Sequence, residues 1–519
     1  MDWITNHILT ILIVFPLVGC GALLMMRTSG GNTIKWAALI TSILEFLLSI
    51  IVFTQFESHA RFQFVQEISW IPEWGISYSV GVDGISLFLI LLTTFLVPIA
   101  VLASWESIEK SQKGFMISLL IMESAMVGIF AATDLFLFYI FWELMLIPMY
   151  LLIGIWGSGR RIYSAIKFVL FTMMGSLLML TGIIYLYTQT RVQLSAPSMS
   201  YGALHQLVLS DSVQVYLFLA FALSFAIKTP LVPLHTWLPD AHAEAPTAGS
   251  IILAGVLLKM GGYGFLRFCI PLFPLAFSQF IPLIIVLSVL GIIYGALMAM
   301  VQPDLKRLVA YSSISHLGFV VLGIFALTAR SLSGSILQMV NHGISTGALF
   351  LLVGLLYERR HTRMIRDFGG LAKSLPKYST VFIIVTLASI GLPGLNGFVG
   401  EFLILIGSFP TQPIAVVFAT VGVVLTAVYL LWMVERVFFG PIDKKENKNL
   451  PDLMIREWVA VVPIVLIIVW LGIYPKPVLE KIEPAVDRLL YHYEHSIGSQ
   501  SNTPDFVLES EEGQEMTGP

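Results

Sequence analysis

Long apolar stretches recur along the whole chain, separated by short polar connections. A membrane-spanning helix needs about 20 mostly apolar residues, and that window fits about fourteen segments. They lie near 4–26, 33–55, 82–104, 114–132, 134–156, 162–187, 213–237, 247–268, 277–300, 304–328, 332–357, 377–409, 413–435 and 454–473. The longer polar connections are 57–81, 188–212, 357–377, 438–453 and the stretch after 474. The first apolar stretch follows Met1-Asp2-Trp3, lacks a basic start and a small-residue cleavage site, and runs to Met26. It reads as a retained first helix rather than a signal peptide. The pattern predicts an all-α polytopic membrane protein.

Two of these helices carry breaks. The seventh contains Lys228-Thr-Pro-Leu-Val-Pro-Leu-His235, and the twelfth contains Ser389-Ile-Gly-Leu-Pro-Gly-Leu-Asn-Gly397. Proline removes a backbone donor and interrupts the helical ladder. Unwound backbone at membrane depth is tolerated only inside protein or around a watery cavity. The breaks are five helices apart, and Asp134-Leu135 opens the fifth helix as Asp304-Leu305 opens the tenth. Both aspartates suit helix N-caps. Two five-helix units, 114–268 and 277–437, account for both coincidences. Five is odd, so the second unit would be inverted relative to the first, a transporter-like arrangement. Residues 1–113 then hold three preceding helices, and 438–490 hold the last helix with its flanks. Residues 491–519, with the acidic run Glu509-Ser-Glu-Glu512, read as a polar, disordered tail.

Composition narrows the function classes. Hydrophobic residues make up 57% of the chain and charged residues 12%, half of the ~25% usual in soluble domains. A net charge of −3 excludes a strongly basic nucleic-acid binder. Cys20 and Cys269 lie far apart in apolar stretches, without iron–sulfur, zinc or haem spacing. Gly157-Ser-Gly159 is followed by Arg160-Arg161, so no dinucleotide fingerprint forms. Lys and Arg concentrate in connections after odd-numbered helices, from Arg27 and Lys110 through Arg160, Lys306, Arg359 and Lys444. Connections after even helices hold only Arg61, Arg191, Arg267 and Arg330, with Lys476, Lys481 and Arg488 near the end. Cytoplasmic loops are Lys/Arg-rich, so both termini are expected on the non-cytoplasmic side.

The few charges inside apolar segments are the candidate chemistry, because each costs several kcal/mol (about 3 on insertion scales) unless paired or hydrated. Glu143 lies nine residues past Asp134, ~13 Å along its helix at 1.5 Å per residue. Lys259 is similarly deep in the eighth helix, Lys228 precedes the break of the seventh, and Glu401 follows the break of the twelfth. His316 and His342 sit mid-span in the tenth and eleventh. Such groups, on different helices at one depth, describe a proton-carrying chain. A Glu143–Lys228 pair that opens and closes would act as a valve on lysine protonation. Each residue also has a structural reading: pairing with a lysine in helix assembly for Glu143, a lysine solvated at a broken helix end for Lys228, a snorkelling Lys259, hydrogen-bonded histidines between helices, and a dipole cap for Glu401. Glu123 reads equally as a supporting partner or as bundle glue. His235, Asp240, His242 and Glu244 read equally as a proton route or a polar loop, and their spacing fits no zinc motif.

The run Lys228-Thr-Pro-Leu-Val-Pro-Leu-His-Thr-Trp-Leu-Pro-Asp-Ala-His-Ala-Glu-Ala-Pro-Thr247 resembles the signature of the antiporter-like membrane subunits of respiratory complex I. Related chains occur in Mrp-type cation/proton antiporters. Phe141-Trp-Glu-Leu-Met145, Leu258-Lys-Met-Gly-Gly-Tyr263, Asp304-Leu-Lys-Arg-Leu-Val-Ala-Tyr-Ser-Ser-Ile-Ser-His-Leu-Gly318 and Gly391-Leu-Pro-Gly394 fit the same family. The resemblance covers residues 1–490 and implies proton translocation by Glu143, Lys228, Lys259 and Glu401, with His235, His316 and His342 on a connecting polar axis. Glutamate at 401 matches one branch of the family, since other branches typically carry lysine there. The resemblance further implies that NADH, FMN, iron–sulfur clusters and quinone belong to partner subunits, with no cofactor in this chain. Its partners would be other membrane-arm subunits in a bacterial cytoplasmic membrane. The competing functions are an Mrp-type sodium/proton antiporter subunit and a non-transporting membrane scaffold.

Overall fold

A computed structural model describes residues 6–26, 31–59, 61–194 and 196–500, without the side chains of 499 and 500. The extreme N-terminus, Arg27 and the acidic run 509–512 lie outside the described residues. The chain is a helical bundle. Its first helices are α1 (Ile8–Met25) and α2 (Gly31–Gln55), followed by the strands β1 (Gln63–Ile71) and β2 (Ile76–Val82). Next come α3 (Leu87–Ala103), α4 (Gln112–Ala131), α5 (Leu135–Trp156) and α6 (Arg161–Gln193). The first broken segment is α7 (Asp211–Lys228) with the short α8 (Trp237–Glu244), and α9 (Thr247–Leu272), α10 (Pro274–Met300), α11 (Leu305–Phe325) and α12 (Ala329–Arg360) follow. The second broken segment is α13 (Pro376–Ile390) with α14 (Asn396–Ser408). The chain closes with α15 (Pro413–Phe438), α16 (Ile455–Ile473) and α17 (Lys476–Gln500). Among the described residues, 12 helices are long and apolar enough to cross a membrane, and α3, α13 and α14 are shorter apolar helices.

Burial sorts the helices into layers. The most apolar windows of α9 and α12 are wholly buried and that of α11 nearly so, whereas α2, α10, α15 and α16 bury only about a third. The buried central helices are less apolar than the outer ones, as expected where lipid rather than protein covers the outer faces. The candidate axis residues Lys259, His316 and His342 ride on those three central helices.

The openings of α5 and α11 are built alike. Asp134 Oδ1 accepts from the amides of Phe136 (2.9 Å) and Leu137 (3.0 Å). Asp304 Oδ1 accepts from Lys306 (2.8 Å) and Arg307 (3.1 Å). Each aspartate also forms an isolated β-bridge to a distant loop, Asp134 to Ser200 and Asp304 to Met364. Side-chain and backbone bonding therefore repeat together at the two positions.

Three features depart from the sequence reading. The 57–81 connection is not a plain loop: β1 and β2 pair as an antiparallel hairpin. The segment after 474 forms α17, which runs past the expected boundary at 490 and ten residues into the region read as disordered. Its buried residues Val478, Ile482, Ala485, Val486, Leu489 and Tyr493 recur at helical spacing, which docks one face on the bundle. Arg267 is not a loop charge: it lies within α9 and pairs bidentately with buried Asp83 at 2.7 and 2.8 Å.

A buried relay as candidate functional site

The sequence of α9 departs from α-helical geometry on both sides of Lys259. Leu253–Leu257 and Phe265–Cys269 are π-helical, flanking a short α-helical stretch Lys259–Gly264. Such wider turns displace a carbonyl from the regular ladder and often mark functional positions. The Lys259 ammonium donates to the carbonyl of Ala254, five residues back, within the first π turn. Gly261 allows the unwound segment after α7 to press against α9. A Cβ at 261 would come within 2.1 Å of Thr229 Oγ1 and 2.5 Å of the Phe225 carbonyl.

From Lys259 a line of polar groups crosses the core. Lys259 Nζ lies 2.8 Å from His342 Nδ1 on α12. The His342 and His316 rings are 5.8 Å apart, centre to centre. His316 Nδ1 lies 2.6 Å from Glu401 Oε1, and Gln338 Nε2 donates to the same oxygen at 3.0 Å. All five side chains are buried. Glu401 is positioned by the second break: Gly391 turns the chain at φ +87°, a left-handed conformation that favours glycine. The other carboxylate oxygen of Glu401 lies 3.6 Å from where a Cβ on Gly391 would sit.

The hydrogen bonds imply the tautomers. His342 Nδ1 accepts from the Lys259 ammonium, so its proton resides on Nε2. His316 Nδ1–H donates to the carboxylate, so its Nε2 is the acceptor. Both Nε2 atoms are buried and without a protein partner. One is thus an unmatched donor and the other an unmatched acceptor.

Glu143 and Lys228 lie on α5 and at the end of α7. They are not an ion pair in this structure. Lys228 Nζ contacts Met145 Sδ at 3.6 Å and lies 5.4 Å from the Trp142 ring and 5.5 Å from that of Phe168. Glu143 is half-buried, interacts electrostatically with Lys228, and lies beside the Tyr139 hydroxyl. One Glu143 oxygen is buried without a partner.

The remaining candidates separate. His235 lies in the break after α7 with its ring 5.1 Å from that of Tyr294 on α10. Its neighbour His242 is wholly buried, stacks on Phe350 at 4.4 Å, and interacts electrostatically with both Lys259 and Lys306. Lys306 Nζ donates to the Ala245 carbonyl at 2.7 Å. It also lines a cavity of about 380 Å³ with Glu106, Glu244, Thr247 and Glu358. Asp240 is paired with Lys167 at 2.8 Å and with Arg307 at 2.9 Å. Glu123 is wholly buried in α4 and touches none of the axis residues. Gln338, His242 as an axis neighbour, and the π turns were not singled out in the sequence. A polar residue midway along an apolar helix marks Gln338, whereas π turns leave no sequence signal.

A family model described as the NADH:quinone oxidoreductase/Mrp antiporter transmembrane domain matches residues 132–426. The chain belongs to that family. A second model, the amino terminus of NADH-ubiquinone oxidoreductase chain 4, matches residues 13–128. The NADH-quinone oxidoreductase subunit M of Rhodobacter capsulatus is 43% identical over 506 residues, covering 95% of this chain and 98% of its own. The NADH-ubiquinone oxidoreductase chain 4 of Marchantia polymorpha is 44% identical over 483 residues, covering 93% and 96%. Among solved structures, a chain of respiratory complex I from Thermus thermophilus matches with TM-score 0.84 and 33% identity, over 93% of this chain and 99% of that one. A chain of the Mrp complex from Dietzia shares the fold, with TM-score 0.81 at 19% identity over 95% and 99% of the two chains.

Proposed function

We propose that the chain is a proton-translocating membrane-arm subunit of an NADH:quinone oxidoreductase, and that Lys259, His342, His316 and Glu401 form its proton relay. The observation that carries this reading is the buried line of contacts from Lys259 Nζ to Glu401 Oε1. The Lys259 ammonium gives its proton to His342 Nδ1, and His342 releases its Nε2 proton to a water between the rings. That water gives a proton to His316 Nε2, and the His316 Nδ1 proton passes to Glu401. Each step breaks one bond to hydrogen and forms another, so no net charge is created within the relay beyond the moving proton. Histidine suits this handover because its two nitrogens carry different partners.

Glu143 and Lys228 act as the valve in this reading. Closing their pair would stabilise charge on Lys228 and alter the field along α9, where Gly261 contacts the backbone next to Lys228. Protons load from the cytoplasmic side, for which the cavity at Lys306 and Glu244, backed by His242, offers a polar approach. Fourteen crossings in two inverted five-helix units, with both termini outside the cytoplasm, fit the broken helices and the Lys/Arg distribution. Electron transfer from NADH to quinone takes place in partner subunits that hold the redox groups, and other membrane-arm subunits flank this chain in a bacterial cytoplasmic membrane. Glutamate at 401 favours this reading over a sodium/proton antiporter subunit, for which lysine is the expected residue.

The test is Glu143→Ala and Lys228→Ala in the reconstituted complex. The expected result is an assembled complex whose quinone-linked proton pumping falls. Unchanged pumping in an assembled complex contradicts it, and sodium-dependent transport by the wild-type protein favours the antiporter.

A further inference from the structure

The first three helices carry a second buried carboxyl that none of the axis chemistry uses. Glu45 sits midway along α2, on the face formed by Ile34, Ala38, Ser42, Ser49 and Val52. The opposite face, with Trp36, Ile40 and Leu47, is exposed on the apolar exterior. Glu45 is wholly buried, and so is Glu123, midway along α4. Neither oxygen of either carboxyl has a hydrogen-bond partner, and the two groups feel each other's charge.

Among the described residues, no cation is paired with them. Lys35, ten residues earlier on α2, is ~15 Å away along the helix axis, and its ammonium already donates to the Trp105 carbonyl at 2.5 Å. Cys20 of α1 faces Glu123 and directs its thiol to the Ile117 carbonyl at 3.7 Å. The neighbouring hydroxyls are also committed: Ser124 to the Ile13 carbonyl at 2.6 Å, and Ser49 to the Phe46 carbonyl and Thr94, both at 2.7 Å. Two carboxylates at one apolar site without a counterion cannot both be ionised. The pair therefore retains a proton between its two carboxyls.

We propose that Glu45 and Glu123 form a carboxyl pair that holds an exchangeable proton at mid-membrane depth, a proton store separate from the Lys259–Glu401 relay. α4 connects this store to the Glu143 helix: a Cβ on Gly128 would lie 2.6 Å from the Phe141 ring, two residues before Glu143. The proposal concerns residues outside the relay, so it stands or falls independently of pumping through Glu401.

The test uses carbodiimide, which modifies protonated carboxyls in apolar surroundings, on the whole purified complex across a pH series, with the adducts mapped by mass spectrometry. The expected result is an adduct on Glu45 or Glu123 at neutral pH that is lost on going alkaline. Glu45→Gln is expected to move the pH range of the Glu123 adduct by about one unit or more, a tenfold change in proton affinity. If that variant does not assemble, Glu123→Gln read at Glu45 makes the same comparison. The proposal is overturned if neither carboxyl reacts in the wild-type complex at neutral pH. It is equally overturned if removing one partner leaves the pH profile of the other unmoved, since the two would then be independent neutral groups.

Discussion

Replacing Glu401 by glutamine keeps the shape and the hydrogen-bond acceptor at the end of the relay but removes its charge and its ability to take a proton from His316. The amide oxygen can still accept from His316 Nδ1 and from Gln338, so the two hydrogen bonds keep their acceptor. Along with the proton acceptor, the attraction between the carboxylate and a protonated His316 disappears. At the observed 2.6 Å and an effective dielectric constant near 20, that attraction is about 6 kcal/mol. Moving one elementary charge against 100 mV costs about 2.3 kcal/mol. The lost term is therefore more than twice the membrane work, and a proton on Lys259 or His342 is no longer drawn across to His316. In vesicles containing the purified Glu401→Gln complex, the expected outcome is normal subunit content with fewer protons translocated per NADH oxidised. A correctly assembled variant with the wild-type proton-to-electron ratio would refute the charge-based account of this step.

Other consequences concern the supports of the relay. Gly261→Ala drives a methyl into Thr229 Oγ1 and the Phe225 carbonyl, an overpacking cost of about 1–3 kcal/mol. Loss of this subunit from the complex on native gels, or a lowered thermal midpoint, measures it. Arg267→Met leaves the buried Asp83 carboxylate unpaired, at a cost of about 3–5 kcal/mol, and adding Asp83→Asn should recover part of the loss in a thermal melt. Burial by itself would raise the Asp83 carboxyl, but the Arg267 guanidinium holds it below the usual range. His205 is pushed down to about 4 by burial, with His492, Arg488 and Arg267 adding to the effect. Its folded value lies below the ordinary 6.5, so its contribution is fully present above pH 6.5 and declines as pH falls toward 4, by at most about 3 kcal/mol. The His205 ring lies 5.8 Å from that of His492 on α17. Protection factors in residues 482–493, corrected for the intrinsic pH dependence of amide exchange, are therefore expected to fall between pH 6.5 and 4, and unchanged protection factors would contradict this.

Much of the bundle was readable because lipid penalises the same things everywhere. Apolar runs of sufficient length mark helices, and Pro230, Pro233 and Pro393 mark the breaks seen between α7 and α8 and between α13 and α14. Lys259 and Glu401 stand out for the same reason, as charges where burial is expensive. Partnership was less legible. His316 and Glu401 are 85 positions apart, and their 2.6 Å contact depends on how α11 and α14 pack. Glu143 and Lys228 look like a pair in sequence, yet Lys228 rests against sulfur and aromatic rings. The π turns around Lys259 arise from packing between α9 and its neighbours, which no local residue pattern records. Glu45 obeyed the rule that exposed Glu143, but an isolated charge in an N-terminal apolar run has no visible partner until α2 and α4 are brought together. α17 was readable in principle from the helical spacing of Val478, Ile482, Ala485 and Leu489, although its polar face resembles a solvated tail.

The central claim is that protons cross this chain through His342. Among the described residues its ring links Lys259 to the His316–Glu401 pair, and His342→Leu would fill much of the space without a proton-carrying atom. General acid–base groups commonly contribute a factor of about 100 or more to proton transfer. The direct measurement is the number of protons translocated per NADH oxidised by vesicles containing an assembled His342→Leu complex. The account predicts a lower ratio than wild type, whereas an unchanged ratio would mean that protons take another path.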